Sequence, residues 1–141
     1  MSAENVAIVR RFTEEGCVGG RIEVVDEVVA EDCVDHDPLP GQAAGRAGLR
    51  QTVQLVVRGL SDRGTVLDQY LDAGDTVVQN WTFRGRHTGE FMGVPATGKE
   101  VRIRGVEIWR VADGRIAERW GVVDVAGLLA QLQAGTTASG R

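Results

Sequence analysis

Apolar residues recur along the first sixty positions at helical spacing. Val6, Val9 and Phe12 mark one face of a helix over 2–17, with Ser2 as its expected cap and Gly19–Gly20 as its stop. A second, short helix is expected over 21–30, where Ile22, Val25, Val28 and Val29 share a face. The stretch EDCVDHDPLPGQ reads as a brief strand running into a Pro/Gly loop. A third helix over 46–60 carries Leu49, Val53, Val56, Val57 and Leu60. The period then changes. Residues 65–71, 76–87, 100–111 and 116–124 are rich in β-branched and aromatic residues and read as strands. LDAGDTV and VADGRI supply hairpin turns, with glycine providing the positive φ. TGEFMGVPATGK is too long and too rich in Gly and Pro for a tight turn, and loops of that length are often functional. A closing helix over 125–133 and a frayed tail over 134–141 complete the pattern.

Helices first and an antiparallel sheet later predict an α+β fold. Four long strands curling around three helices make a cone-shaped, half-open barrel whose mouth can hold a small molecule. The 141 residues fit one domain, expected over 1–133.

Composition narrows the functions. The net charge of −4 and the absence of a basic patch speak against nucleic acid as a partner. The opening MSAENVAIVRRF has no apolar leader core, and no apolar run approaches the ~20 residues of a membrane span. A cytoplasmic protein without membrane partners is the expectation. Cys17 and Cys33 sit in apolar patterns and read as reduced, buried thiols. The two histidines match no metal motif, so no metal is expected.

Four residues are candidates for chemistry. Strand alternation puts Ile103, Gly105, Glu107 and Trp109 on one face. A carboxylate among apolar neighbours is either a general acid or base with raised pKa, or the partner of an arginine such as Arg119. Asp124 is either catalytic or the cap of the helix that follows. His36, between Asp35 and Asp37, is either a proton carrier or a hydrogen-bonding element of the Pro-rich loop. His87, at the mouth of the long loop, is either catalytic or a structural tie for that loop. Substrate contacts are expected from Asp35, Trp81, Phe91, Met92, Trp109 and Gly121.

RGRHTGEFMGVPATGKEVRIRGVEIWRVADGRIAERWGVVDVAGLLAQL, together with NVAIVRRFTEEG and VVAEDCVDHDPLPGQAAGRAGLRQ near the front, closely resembles the SnoaL-like polyketide cyclase family. The resemblance runs from Asn5 to about Gln133 and implies the cone of the nuclear transport factor 2-like superfamily. It implies ring closure by intramolecular aldol condensation without metal or organic cofactor, on a polyketide-type substrate. The family's catalytic aspartate falls on Gly121 and an assisting histidine on Glu107, while His87 and Asp124 match a family histidine and aspartate. Glu107 is thereby the leading acid/base candidate. The expected function is a cofactor-independent cyclase making a ring by aldol, oxygen-heterocycle or cycloaddition chemistry. The alternatives are a hydroxylase or epoxide hydrolase, and a non-catalytic small-molecule binding protein. The resemblance also implies a homodimer or larger even assembly through the outer sheet face. Trp81 or Phe83 would contribute to that contact or, equally, line the pocket.

Overall fold

The computed structural model describes residues 2–139, with side chains described over 3–133. The first helix, α1, spans Ser2–Arg11 and continues without a break into a π-helical segment, Phe12–Val18. The expected single α-helix over 2–17 therefore changes pitch at Phe12. The wider winding is visible in the amide of Gly19, which donates five residues back to the carbonyl of Glu14. The second helix, α2, is shorter than expected: it covers Val24–Val28, and Val29 already begins strand β1, Val29–Asp35. Helical spacing alone cannot see this, because Val29 is buried either way. Helix α3 spans Arg46–Gly59.

Strand β2 follows directly, Leu60–Ala73, and extends well beyond the expected 65–71. Its register slips twice, between Ser61 and Gly64 and between Thr65 and Leu67. Such bulges break the period-two pattern by which a strand is read. Strands β3 (Thr76–His87), β4 (Glu100–Ala112) and β5 (Arg115–Val123) match expectation within a residue at each end. The β4–β5 hairpin turns on Asp113 and Gly114, both at positive φ, 53° and 75°. Helix α4 runs Val125–Ser139, past the expected end at 133, so the expected frayed tail is helical backbone as far as Ser139. Residues 140–141 lie outside the described residues.

The five strands form one sheet in the order β1-β5-β4-β3-β2. All neighbours are antiparallel except β1, which pairs parallel to β5 at the edge. The sheet curls without closing, and the α+β cone expected from the sequence is what forms. Two apolar clusters fill it. One joins α1, α2 and α3 to one end of the sheet through Val9, Phe12, Val25, Val53, Trp109 and Ile116. The other joins α4 and the 88–99 loop to the other end through Leu60, Phe83, Phe91, Ile103 and Leu128. The gap between these clusters is the cavity.

Candidate functional site

The cavity holds about 240 Å³ and is walled by side chains from both clusters, including Phe12, Leu49, Phe83, Phe91, Ile103, Trp109 and Leu128. Alternation along β4 turns Ile103, Glu107 and Trp109 into it, as the sequence pattern predicted. On β3 the inward set is Gln79, Trp81 and Phe83, so both aromatics of that strand line the cavity. On β5 it is Arg119, Gly121 and Val123.

Glu107 sits opposite Gly121 on one neighbour strand and Gln79 on the other. Its Oε1 accepts from the Trp81 indole N–H at 2.8 Å and its Oε2 from Arg119 Nε at 2.5 Å. Glu107 is thus an arginine-paired carboxylate that also lines the cavity. Burial pushes its pKa above the usual carboxylate range, Arg119 and Trp81 pull it back, and nearby Asp35 adds to the rise. Arg119 reaches further. Its Nη1 donates to Asp35 Oδ1 at 2.8 Å and to the Asp37 carbonyl at 3.3 Å. Burial alone would lower the guanidinium pKa, and its two carboxylate partners more than reverse that. Asp35 also accepts from the Asp37 amide at 3.0 Å and from Gln42 Nε2 at 2.9 Å. Gln42 is in turn held by the Leu39 amide at 3.0 Å. The Asp37 carboxylate accepts from the Gly121 amide at 2.9 Å, where β1 has already left the sheet edge.

Gly121 is not an empty place in the wall. A Cβ there would lie 2.7 Å from Arg119 Nη2 and 2.9 Å from Glu107 Cγ. The Glu107–Arg119 pair occupies the space that a side chain at 121 would need.

At the inner end of the cavity lies a second polar group. Gln79, buried, donates to Thr13 Oγ1 at 2.8 Å and Asp68 Oδ1 at 3.0 Å, and accepts from the Trp109 indole at 3.0 Å. Thr13 and Cys17 reach the cavity from the π-helical segment. Burial raises the Cys17 thiol to about 12 and the Cys33 thiol to about 11, which agrees with inert, reduced side chains.

The other three candidates lie elsewhere. His36 points away from the cavity: it stacks on Trp120 at 4.6 Å and bonds Glu118 at 2.8 Å on the outer face of the sheet. The same alternation that turns Asp35 and Asp37 inward turns His36 outward. His87 is fully buried and ties down the long loop, its Nδ1 accepting from the Thr97 amide at 3.2 Å and its Nε2 lying 3.2 Å from the Val94 carbonyl. Asp124 is exposed and caps α4, its Oδ1 accepting from the Gly127 amide at 2.8 Å. Of the expected substrate contacts, Asp35, Trp81, Phe91, Met92, Trp109 and Gly121 all line the cavity. Sequence reasoning passed over Gln79, Thr13, Gln42 and Asp37. Gln79 was findable as a polar residue on the inward face beside Trp81 and Phe83. Gln42 lies in an irregular loop and leaves no periodic signal.

Comparison with known proteins agrees with this architecture. The sequence profile of the SnoaL-like polyketide cyclases matches residues 7–132. The aklanonic acid methyl ester cyclase DnrD of Streptomyces peucetius is 24% identical over 132 residues, covering 90% of this chain and 89% of DnrD. Among solved structures, TsrD from Streptomyces laurentii superimposes with a TM-score of 0.83 at 25% identity, covering 94% of this chain and 96% of TsrD. IdmH from Streptomyces antibioticus gives 0.77 at 30% identity, covering 92% of this chain and 98% of IdmH. Among the described residues, no helix is long and apolar enough to cross a membrane.

Proposed function

The chain belongs to the SnoaL-like polyketide cyclase family, and from that premise we propose that it closes a ring in a polyketide-type intermediate without a cofactor, with Glu107 as general base and then general acid. The observation that carries the reading is a single one: the Glu107 carboxylate lines an apolar cavity, held from two sides by Trp81 and Arg119. In an aldol closure, the proton on the carbon next to a carbonyl passes to Glu107. The resulting enolate carbon attacks a second carbonyl of the same chain, and the new alkoxide takes the proton back. Nothing is oxidised, reduced or lost, so substrate and product have equal mass. A positioned carboxylate contributes about 10²–10⁴-fold. Apolar walls that fold a flexible chain into a reactive shape supply the remainder. DnrD, by its name, acts on a methyl ester, and such a neutral substrate suits a cavity already carrying buried carboxylates.

The test is turnover of an anthraquinone polyketide methyl ester, followed by chromatography and absorbance at constant mass. Wild type is expected to convert it and Glu107→Gln to lose about 10²-fold or more. Full turnover by Glu107→Gln removes Glu107 from the mechanism. Binding with no conversion of any offered substrate favours a binding protein. Epoxide hydration is the second reading, favoured by Glu107 and Asp35 lying on one guanidinium. Incorporation of labelled oxygen from water would establish it.

A homodimer through the outer sheet face accompanies this reading. That face exposes Val122 (75%), Val106 (40%) and Ile108 (39%), an apolar run that a second sheet would cover. A monomer by light scattering at micromolar concentration would overturn it.

A further inference from the structure

The charges that line the cavity are Glu107, Asp35, Asp37 and Arg119. Asp37 is engaged by the Gly121 amide at the rim. The remaining three form a linear group, carboxylate–guanidinium–carboxylate, whose side chains are 12%, 11% and 9% exposed for Glu107, Arg119 and Asp35. One guanidinium balances one carboxylate. A second buried anion is costly in an apolar wall, so the group is ready to accept a proton.

The hydrogen bonds distinguish the two carboxylates. Asp35 accepts from three donors: Arg119 Nη1, the Asp37 amide and Gln42 Nε2. Glu107 accepts from two, Arg119 Nε and the Trp81 indole. Three donors fix Asp35 in place, whereas Glu107 has two and lines the cavity. Both Asp35 oxygens are engaged, Oδ1 by Arg119 and the Asp37 amide and Oδ2 by Gln42.

We propose that Asp35 is a positioning residue for the proton chemistry of this cavity: anchored by three donors, it holds Arg119 on its far side and so leaves Glu107 as the carboxylate that takes up and returns the proton. The proposal rests on the reading of Glu107 as the acid/base group. β5 brings Arg119, β3 brings Trp81 and neutral Gln79, β1 brings Asp35, and the loop after β1 brings Asp37. The π-helical segment brings Thr13 and the protonated thiol of Cys17, and Asp68 of β2 lies behind Gln79. Asp35 is the only one of these that shares a charged partner with Glu107.

The measurement needs no substrate. Protein carrying a ¹³C label at the glutamate carboxyl is titrated by NMR, with the Glu107 signal assigned by its loss in Glu107→Gln. In Asp35→Asn, Arg119 serves Glu107 alone, and the Glu107 midpoint is expected to fall by about one pH unit or more. Asp35→Glu restores the charge and returns the midpoint toward the wild-type value. Gln42→Met is the second route, should Asp35→Asn fail to fold. It removes one of the three anchors of Asp35, loosens its hold on Arg119, and lowers the Glu107 midpoint by a smaller amount. An unchanged or raised midpoint in Asp35→Asn, or in Gln42→Met where that is the variant that folds, overturns the proposal. Because no turnover is read, a protein that proves not to be a cyclase still gives a decisive titration. A wild type that closes the ring while Asp35→Asn leaves the midpoint unmoved would separate the two ideas the other way.

Discussion

At position 121 the cavity wall carries only a hydrogen, and the reason is space. The backbone there is extended strand paired with Glu107, so any L-residue could adopt it. What an added Cβ meets is Arg119 Nη2 at 2.7 Å and Glu107 Cγ at 2.9 Å. The arginine end can swing aside, but the Glu107 methylene is close to its own strand and cannot move far. Gly121→Ala is therefore expected to cost about 1–3 kcal/mol, as overpacking of a filled site does. Gly121→Asp should cost more, because its carboxylate would arrive beside Glu107 and Asp37. Urea denaturation of the three proteins checks this, and an unchanged midpoint for Gly121→Ala would show that the pair is not fixed as described. The inward position of Glu107 was legible in the alternation of RIRGVEIWRV, since period two needs no knowledge of the partners. The second arm of Arg119 was not. It reaches Asp35, 84 positions away in the chain, and nothing local in either segment records that meeting.

Among the elements, the 88–99 loop shows how one buried side chain can order an irregular segment. His87 ends β3, and the loop folds back over it. Its backbone accepts from the Gly98 amide at 2.7 Å and its amide donates to the Lys99 carbonyl at 2.8 Å. Its ring meets Thr97 and Val94, and Phe91 packs edge-on at 6.4 Å. Phe91 in turn lies on the bare Cα of Gly59, where a Cβ would come within 2.5 Å of the ring. The loop thereby carries Phe91 and Met92 to the cavity wall. His87→Ala is expected to lose about 2–4 kcal/mol, through the cavity left and the unpaired Thr97 amide. Limited proteolysis should then cut between residues 88 and 99, where the wild type resists; equal resistance would mean the loop holds without its histidine. The sequence marked this loop by its glycines and length. It left the role of His87 open, because a histidine at a loop mouth looks the same whether it faces substrate or the loop itself. The π-helical turn at Phe12–Val18 was likewise invisible. Apolar spacing through that stretch fits an α-helix equally well, and the wider turn places Phe12 against Trp109 and Thr13 within reach of Gln79.

For the whole molecule, the cavity's charge must appear in the pH dependence of folding. Glu107 is raised above its unfolded value, mainly by burial. Over the interval between those two values the native state therefore binds more protons than the unfolded chain. Stability is full below the unfolded value and falls as pH rises through the folded one. Glu118 works in the opposite sense: its bonds to His36 and Arg110 lower it, so its contribution is present above the unfolded value and is lost as pH falls through the folded one. Stability should therefore peak around the ordinary glutamate range, where both contributions are present, and decline above it as Glu107 ionises. Glu107→Gln separates the two limbs, because Arg119 keeps Asp35 as its partner and no buried charge is stranded. Chemical denaturation from about pH 5 to about pH 8 is expected to show the wild-type midpoint declining and the Glu107→Gln midpoint nearly level. A wild type whose stability rises through that range would mean that Arg119 outweighs burial. Glu107 would then be a permanently ionised structural partner, and the proton chemistry of the cavity would have to be sought in another group.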